Sequence, residues 1–184
     1  MLTACVPYTV PIFGDSADAS CAPPDTVRLG EVLDGDTFTL STGETVRLLG
    51  VDTPEVYLDE ENPSGDCEAG QYIEDEGVCC YGPQASDFLR RALSGSSGEL
   101  RLEYDHICQD EYGRQLAYAY LLPEEEEDSG ESSDEEEVFL NEEILKGGYG
   151  RVYTADPSIR RYEEFISLES QARESGFGLW GACL

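Results

Sequence analysis

Apolar and polar residues alternate in three short segments near the start of the chain, and all three are rich in β-branched residues. The segments are TVRLGEVL (26–33), DTFTLST (36–42) and ETVRLLGV (44–51). This pattern is typical of strands with one buried face. The Thr42–Gly43 pair between the last two segments predicts a tight hairpin turn.

The rest of the chain adds two predicted strands and further helices. The strands are ELRLEYD (99–105) and RQLAYAYLL (114–122), and they follow a helix predicted at PQASDFLRRALS (83–94), where Pro83 occupies the first turn. A short helix is predicted within LNEEILKGGY (140–149). Five strands with a helix between the third and the fourth predict a mixed α+β fold. We expect a five-stranded OB-type β-barrel with about three packed helices.

A longer helix is predicted from Pro157 to about Ser175, with Gly176 as its C-terminal cap. Its apolar face is formed by residues near helical spacing: Ile159, Tyr162, Phe165, Ile166 and Ala172. Three large apolar residues after the helix are expected to close the core: Phe177, Leu179 and Trp180.

Local composition divides the chain into a tether and one domain. Residues 1–24, with four prolines, are interpreted as an extended N-terminal tether, and residues 25–184 as a single domain. A Cys-rich loop at 59–80 lies within the domain, and a loop of such length is usually functional or cross-linked. An acidic insertion at 124–137 is interpreted as solvated chain. Its alternative interpretation is an ion-binding or self-inhibitory strand that mimics nucleic-acid phosphates.

The charge of the chain is strongly negative. It has 40 acidic against 11 basic residues, a net charge of −29, and Lys146 as its single lysine. Hydrophobic residues make up 40% of the chain, with eleven tyrosines and six phenylalanines, which indicates a folded protein rather than a disordered polyanion. We expect a protein adapted to concentrated salt, where self-repulsion is screened. The alternative is an ordinary acidic protein. A general DNA-coating protein is disfavoured because such proteins are basic.

The cysteines indicate an oxidising compartment. The chain has seven, and LTAC at positions 2–5 resembles the lipobox at which prokaryotic lipoproteins are cleaved and lipidated on the cysteine, here Cys5. This favours an extracellular or cell-surface protein of a salt-adapted prokaryote, attached to the membrane through a lipidated Cys5. The alternative is a cytoplasmic start with incidental small residues. No segment is long and apolar enough to span a membrane, and a monomer is expected.

Six cysteines remain for disulfides: Cys21, Cys67, Cys79, Cys80, Cys108 and Cys183. We predict that at least one disulfide ties the Cys-rich loop to another segment, with Cys108 as the expected partner. Vicinal Cys79 and Cys80 should pair elsewhere rather than with each other, because the small ring would strain the peptide between them. The alternative is a zinc site formed by loop cysteines, Cys108 and His106, although its spacing lacks paired C-x2-C motifs.

Two acidic pairs follow the first predicted strands. Asp34 and Asp36 lie in LDGDTF, and Asp52 and Glu55 lie in LGVDTPE. A short hairpin turn gives cross-strand residue numbers that sum to roughly 85 to 88, which places Asp36 beside Asp52. Two such carboxylates repel each other unless a cation joins them, and oxygen ligands suit Ca²⁺ or Mg²⁺. The sequence therefore predicts a hard-cation site on this hairpin, with Glu55 at a distance suited to a metal-bound water.

Two arginines extend this site. Arg47 is on the same hairpin and Arg114 follows the turn DEYG. A metal, a carboxylate and two arginines are suited to phosphodiester hydrolysis, because cations stabilise charge at phosphorus while the carboxylate activates water. The planar guanidinium also binds two phosphate oxygens and stays charged.

With these motifs in order, the chain resembles the staphylococcal nuclease (thermonuclease) family over roughly residues 27–180. The resemblance lies in VLDGDTFTL, VRLLGVDTPE, YGPQASDFL, DEYGRQLAYAYL, NEEILKGGYGRVY and GLW. It implies Ca²⁺ ligands at Asp36, Asp52 and the backbone carbonyl of Thr53. It implies that Glu55 is the general base or orients the attacking water, and that Arg47 and Arg114 clamp the scissile phosphate.

The same resemblance assigns two supporting residues and an activity. Asp34 matches an acid behind the metal ligands, and Tyr153 matches a tyrosine near the 5′ side of the substrate. The family consists of OB-barrel endonucleases that hydrolyse DNA and RNA and leave 3′-phosphate ends. Two alternatives stay open: a non-catalytic nucleic-acid- or protein-binding module on the same barrel, and an acidic protein that collects cations.

Overall fold

The computed structural model describes residues 26–56, 67, 72–73, 78–94, 98–123, 137–153 and 157–183. The tether 1–24 with Cys5 and Cys21 lies outside these residues, as do most of the loop 59–80 and the acidic insertion except Glu137. No helix within the described ranges meets the length and hydropathy that crossing a membrane requires.

The described residues form ten strands, several of only two residues. They are β1 (Val27–Val32), β2 (Thr37–Leu40), β3 (Thr45–Leu48), β4 (Val51–Asp52), β5 (Tyr72–Ile73), β6 (Val78–Cys79), β7 (Glu99–Glu103), β8 (Gln115–Leu121), β9 (Val138–Phe139) and β10 (Arg151–Val152). The helices are α1 (Gly82–Ser94), α2 (Leu140–Lys146), α3 (Tyr162–Ser175) and the single turn α4 (Leu179–Ala182).

Five strands close into a barrel. The order is β3-β2-β1-β7-β8 with antiparallel neighbours, and β3 pairs in parallel with β8 to complete the circle. The buried residues alternate along β3 and β7, because one face of each strand points into the barrel. The predicted five-stranded OB-type barrel with packed helices is thus confirmed. Two additional short pairings, β4–β10 and β5–β6, lie outside the barrel sheet.

The long C-terminal helix starts five residues later than predicted and ends where predicted, at Ser175. Residues 157–161 form turns, and α3 begins at Tyr162. Gly176 is the left-handed C-cap, as predicted (φ 63°). Phe165 is buried, whereas Ile166 is 38% exposed and Phe177 is 57% exposed. Ile166 is one residue, or about 100° of rotation, beyond Phe165, so both cannot lie at the centre of the buried face.

The register of the β2–β3 hairpin differs from the prediction by one to four residues. Thr37 pairs with Arg47 and Thr39 with Thr45, so the paired numbers sum to 84 rather than 85 to 88. The reason is a three-residue turn, Ser41–Gly43, in which Gly43 has a positive φ of 102°. Asp36 therefore lies opposite Leu48, whose N–H donates to the Asp36 carbonyl over 2.8 Å.

A buried asparagine joins the barrel to α2. Asn141 is fully buried; its side-chain oxygen accepts from the Ala119 N–H at 3.0 Å, and its amide donates to the Leu49 carbonyl at 2.9 Å. The bonds satisfy backbone groups of β8 and of the β3–β4 turn that water cannot reach. Asn141 thereby fixes the turn that leads into Asp52.

Asp105 is expected to contribute about 2 kcal/mol to stability, because several hydrogen bonds end on its carboxylate, which is 6% exposed. The donors are the Tyr118 hydroxyl and the backbone N–H groups of Arg160 and His106, each at 2.8 Å, and the His106 ring Nδ1 lies 3.1 Å from the same carboxylate. They tie the β7–β8 connection to the residues before α3. Burial alone would raise the pKa of Asp105, but these hydrogen bonds outweigh it and hold the pKa well below its ordinary value.

The expected pH dependence of this contribution follows from the lowered pKa. The stabilisation is present above the unfolded-state pKa of about 3.9 and is lost as the pH falls towards the folded-state value. The free energy of unfolding of Asp105→Asn, measured in urea, should therefore be well below that of the unmodified protein at pH 7. The difference between the two proteins should be smaller near pH 3. Asp87→Asn is the control, since Asp87 is exposed on α1. An equal effect of the two substitutions at pH 7 would contradict this account.

Candidate active site

Asp36 is the buried centre of the acidic site. Its side chain lies at the end of the β1–β2 turn and is almost inaccessible to solvent, with the residue 1% exposed. The carboxylate accepts from the Thr53 backbone N–H and from the Thr37 hydroxyl, each at 2.8 Å. Asp34 shapes the turn, because its Oδ1 accepts from the Asp36 N–H at 3.0 Å. The turn thus holds the Asp36 carboxylate against the segment after β4.

Arg47 joins the two acids that were predicted to lie together. Its Nη1 donates to Asp36 Oδ1 at 2.5 Å and its Nη2 to Asp52 Oδ1 at 2.7 Å. The structure therefore brings Asp36 and Asp52 to two nitrogens of one guanidinium, despite the error in the predicted register. Burial opposes the charge on Arg47, but Asp36 and Asp52 outweigh it and raise the pKa of Arg47 above its ordinary value.

Arg151 is a site residue that the sequence did not reveal. Its Nε and Nη2 donate to Asp52 Oδ2 at 3.2 and 3.1 Å, and it faces Asp52 in the β4–β10 pairing. Both Asp52 oxygens thus have an arginine partner. A usable signal was present, because in a chain with 11 basic residues an arginine in GGYGRVY is conspicuous.

Glu55 follows the stiff Pro54 at the edge of this cluster and is partly exposed. Burial, with the charges of Asp34 and Asp36, raises the pKa of Glu55 to about 7, and Arg47 opposes this effect. Glu55 is also two residues beyond Thr53, whose backbone N–H donates to Asp36, and this short connection places Glu55 beside the cluster. A carboxylate with a pKa near 7 is suited to accept a proton at neutral pH.

Arg114 lies on the wall of a cavity that Arg47 also lines. The cavity has a volume of about 320 Å³, and its polar and aromatic walls include Arg47, Arg114, Tyr112 and Tyr153. Asp110 holds Arg114 in place: its Oδ2 accepts from the Arg114 Nε at 2.6 Å and its Oδ1 from the Arg114 backbone N–H at 2.9 Å. The two predicted clamp residues thus face one space.

Tyr153 lies beside Arg47 at the cavity. The Arg47 Cζ is 5.8 Å from the centre of its ring, and the residue is 45% exposed. Its backbone N–H donates to the Gly50 carbonyl at 3.0 Å, which continues the β4–β10 pairing. An exposed aromatic ring next to two arginines is a surface on which a nucleobase can stack.

The donor set fits a hard divalent cation. Four carboxylates, those of Asp34, Asp36, Asp52 and Glu55, interact here with Arg47, and burial raises the pKa of Asp36 to about 6 because its charge is poorly solvated. A bound cation would relieve the repulsion among these carboxylates, and oxygen ligands suit Ca²⁺. Among the described residues no three acidic, histidine or cysteine side chains already form a cage. Asp36 and Asp52 are the residues that would hold the ion, with the Thr53 carbonyl next to them in the chain.

The disulfides differ from the predicted partner. Cys67 is bonded to Cys79, and Cys80 to Cys183. Vicinal Cys79 and Cys80 are thus in separate bridges, and the loop is tied to the C-terminal end, not to Cys108. Cys108 is itself in a disulfide. The zinc alternative is wrong, because four cysteines that it needs are oxidised.

The fold and site together define a class of protein. A closed OB-type barrel presents an acidic cluster joined by Arg47, next to a cavity that holds a second arginine and two tyrosines. This combination suits a barrel that binds nucleic acid and acts on phosphodiesters. A family model described as "Staphylococcal nuclease homologue" matches residues 45–182, three quarters of the chain. The chain belongs to the staphylococcal nuclease family.

Individual relatives agree with this family. The chain is 30% identical to the thermonuclease of Staphylococcus hyicus over 168 residues, which cover 90% of this chain and 81% of the relative. It is 29% identical to the thermonuclease of Staphylococcus intermedius over 152 residues, covering 81% and 72%. An uncharacterized protein of Methanocaldococcus jannaschii is 31% identical over 165 residues, covering 83% and 70%.

Proposed function

We propose that this protein is a calcium-dependent endonuclease that hydrolyses DNA, and also RNA, to leave 3′-phosphate ends. The observation that carries the proposal is the position of Arg47, which binds Asp36 and Asp52 and lines the same cavity as Arg114. This position connects a cation site to a phosphate site. The two thermonuclease relatives support nuclease activity in general.

Each site residue has a role in this proposal. Bound Ca²⁺ would neutralise charge on the scissile phosphate. Arg47 and Arg114 bind phosphate oxygens, and the bonds of Arg47 to its two acids use only two of the five N–H donors of a guanidinium. Glu55 accepts a proton from the attacking water. The water oxygen bonds to phosphorus as the bond from phosphorus to the 5′ oxygen breaks. The departing 5′ oxygen takes a proton from solvent, and the phosphate stays on the 3′ end.

The experiment that tests this function is a degradation assay on duplex DNA and on RNA, with Ca²⁺ and with a chelator in excess. We expect cleavage of both substrates with Ca²⁺ and loss of cleavage with the chelator. Nucleic-acid binding without cleavage under every metal condition would contradict the proposal and favour the non-catalytic module.

We also propose that the acidic surface adapts the enzyme to salt. Nuclease rate and melting temperature are expected to rise from about 0.05 M into the molar range of KCl, because screening removes repulsion between a protein of charge −29 and its polyanionic substrate. Short contacts in the partly buried site are screened less. A rate that falls steadily with salt, as counterion release causes for basic nucleases, would contradict the adaptation.

A matched deletion tests the part that the acidic insertion plays. Removing residues 124–136 deletes nine acidic residues and keeps Glu137, which is paired with Arg101. The salt optimum should shift downwards without loss of cleavage, because none of the proposed site residues lies in this segment. An unchanged salt optimum would show that the acidic insertion does not contribute to salt adaptation.

The proposed location is extracellular or at the cell surface. Five described cysteines are in disulfides, which is typical of oxidising compartments. Lipidation at Cys5 remains part of this proposal, and mass spectrometry of the mature N-terminus from the native source would test it.

A further inference from the structure

The backbone of Glu55 is in contact with the turn that precedes α1. The Cys79 N–H donates to the Glu55 carbonyl over 3.4 Å. A Cβ atom on Gly82 would lie 2.5 Å from the Glu55 carbonyl oxygen and 2.9 Å from that of Pro54. A side chain at Gly82 would therefore push the backbone of Pro54 and Glu55 away. Residues 79–82, called here the Glu55 support, therefore pack directly against the chain that carries Glu55.

Covalent bonds and packing hold the Glu55 support in its conformation. Cys80 is joined to Cys183 across 103 residues of sequence, and Cys183 is 2% exposed. Tyr81 has a φ of 72°, a conformation that a non-glycine residue keeps only where its surroundings impose it. The Tyr81 ring also lies 5.8 Å from that of Tyr149. Local sequence preference alone would not keep this turn in place.

The other end of the Cys80–Cys183 bond is fixed to the body of the protein. The Leu179 N–H at the start of α4 donates to the Gly148 carbonyl, and the Cys183 N–H donates to the Leu179 carbonyl, both at 2.9 Å. A connected path thus runs from the turn after α2, through α4 and the disulfide, to the Glu55 support. Other site residues are held differently, because Arg47 is on β3 and Arg114 is bonded to Asp110.

We propose that the Cys80–Cys183 disulfide is a positioning element for Glu55, and that its loss lowers turnover without weakening substrate binding. The inference rests on the proposed function, in which Glu55 acts on the attacking water. Without the bond the Glu55 support can move, and the backbone of Glu55 moves with it. A displacement of about 1 Å at a reacting group costs on the order of 10²-fold in rate. The clamp arginines keep their own supports, so KM stays near its original value.

The test compares three variants with the unmodified protein. Cys80→Ala/Cys183→Ala removes the disulfide, and Gly82→Ala pushes on the Glu55 carbonyl while every disulfide stays intact. Leu102→Ala is the control for general loss of stability, since Leu102 is buried on β7, which contributes no residue to the site. For each variant, kcat and KM are measured, together with hydrogen exchange of a peptide spanning residues 51–56.

The first two variants should lower kcat about 10- to 100-fold with KM within about twofold, and exchange at 51–56 should exceed that of Leu102→Ala. Exchange at 51–56 equal to the control, or equal changes in kcat and KM, would overturn the proposal. If Cys80→Ala/Cys183→Ala does not fold, Cys183→Ala alone, which breaks the same bond and leaves residues 79–82 unchanged, decides by the same criteria. If the unmodified protein cleaves no substrate, the proposed function fails, while the exchange comparison still decides whether the disulfide positions Glu55.

Discussion

Glu55→Gln is expected to lower kcat by about 10²- to 10⁴-fold, the usual contribution of a general base. Glutamine has nearly the same shape but cannot accept the proton of the attacking water. Binding of Ca²⁺ and of a nucleotide should stay close to that of the unmodified protein, because the expected cation ligands and the arginines are unchanged. The expected effect therefore lies in turnover and not in affinity.

The measurement is steady-state cleavage of a short DNA duplex at saturating Ca²⁺, with nucleotide affinity determined separately by calorimetry. Glu44→Gln is the control, since Glu44 is an exposed acid on the β2–β3 hairpin and loses the same charge. A kcat for Glu55→Gln that equals the control would remove Glu55 from the mechanism.

Arg47→Lys is expected to lower kcat/KM by about 10²- to 10³-fold, the usual cost of removing one preorganised donor to a transition state. Arg47 reaches Asp36 and Asp52 with two different nitrogens, and a single ammonium group cannot reproduce this fork. One of the acids then loses its hydrogen bond to residue 47, and the phosphate loses a planar donor. The positive charge is retained in this variant, so a decrease in kcat/KM would result from the altered geometry of the donor group.

The matched control for this substitution is Arg28→Lys. Arg28 lies on β1, and its side chain is 68% exposed and paired with Glu99, a type of contact that contributes little. The cleavage rate of Arg28→Lys should match that of the unmodified protein. Cleavage by Arg47→Lys at the same rate would show that a point charge suffices, and the proposed clamp would be wrong.

The barrel could be predicted because short sequence patterns identify its individual strands and the β2–β3 turn. Burial alternates along β3 and β7, so each strand has one buried face. The Thr42–Gly43 pair also marks the turn between β2 and β3 in the sequence. The predicted proximity of Asp36 to Asp52 is correct although the predicted register is wrong. The reason is that the β3–β4 turn brings Asp52 back towards Asp36, and the Thr53 backbone N–H donates to the Asp36 carboxylate.

The missed features depend on contacts between residues far apart in sequence. β10 has two residues, too few for any periodic pattern, and Arg151 meets Asp52 across 99 positions. Cys80 and Cys183 are 103 positions apart, so spacing could not identify the pair. Asn141 in the first turn of α2 looks like a surface residue in the sequence, and only its bonds to β8 and the β3–β4 turn show that it is buried.

The central claim is that this site cleaves phosphodiester bonds with Glu55 as base. The most direct test is mass spectrometry of the fragment ends produced from one defined DNA duplex, by the unmodified protein and by Glu55→Gln purified in parallel with Ca²⁺. We predict fragments with 3′-phosphate and 5′-hydroxyl ends from the unmodified protein, and at least about 10²-fold less product from the variant. Intact DNA with the unmodified protein, or equal product from both proteins, would contradict the claim.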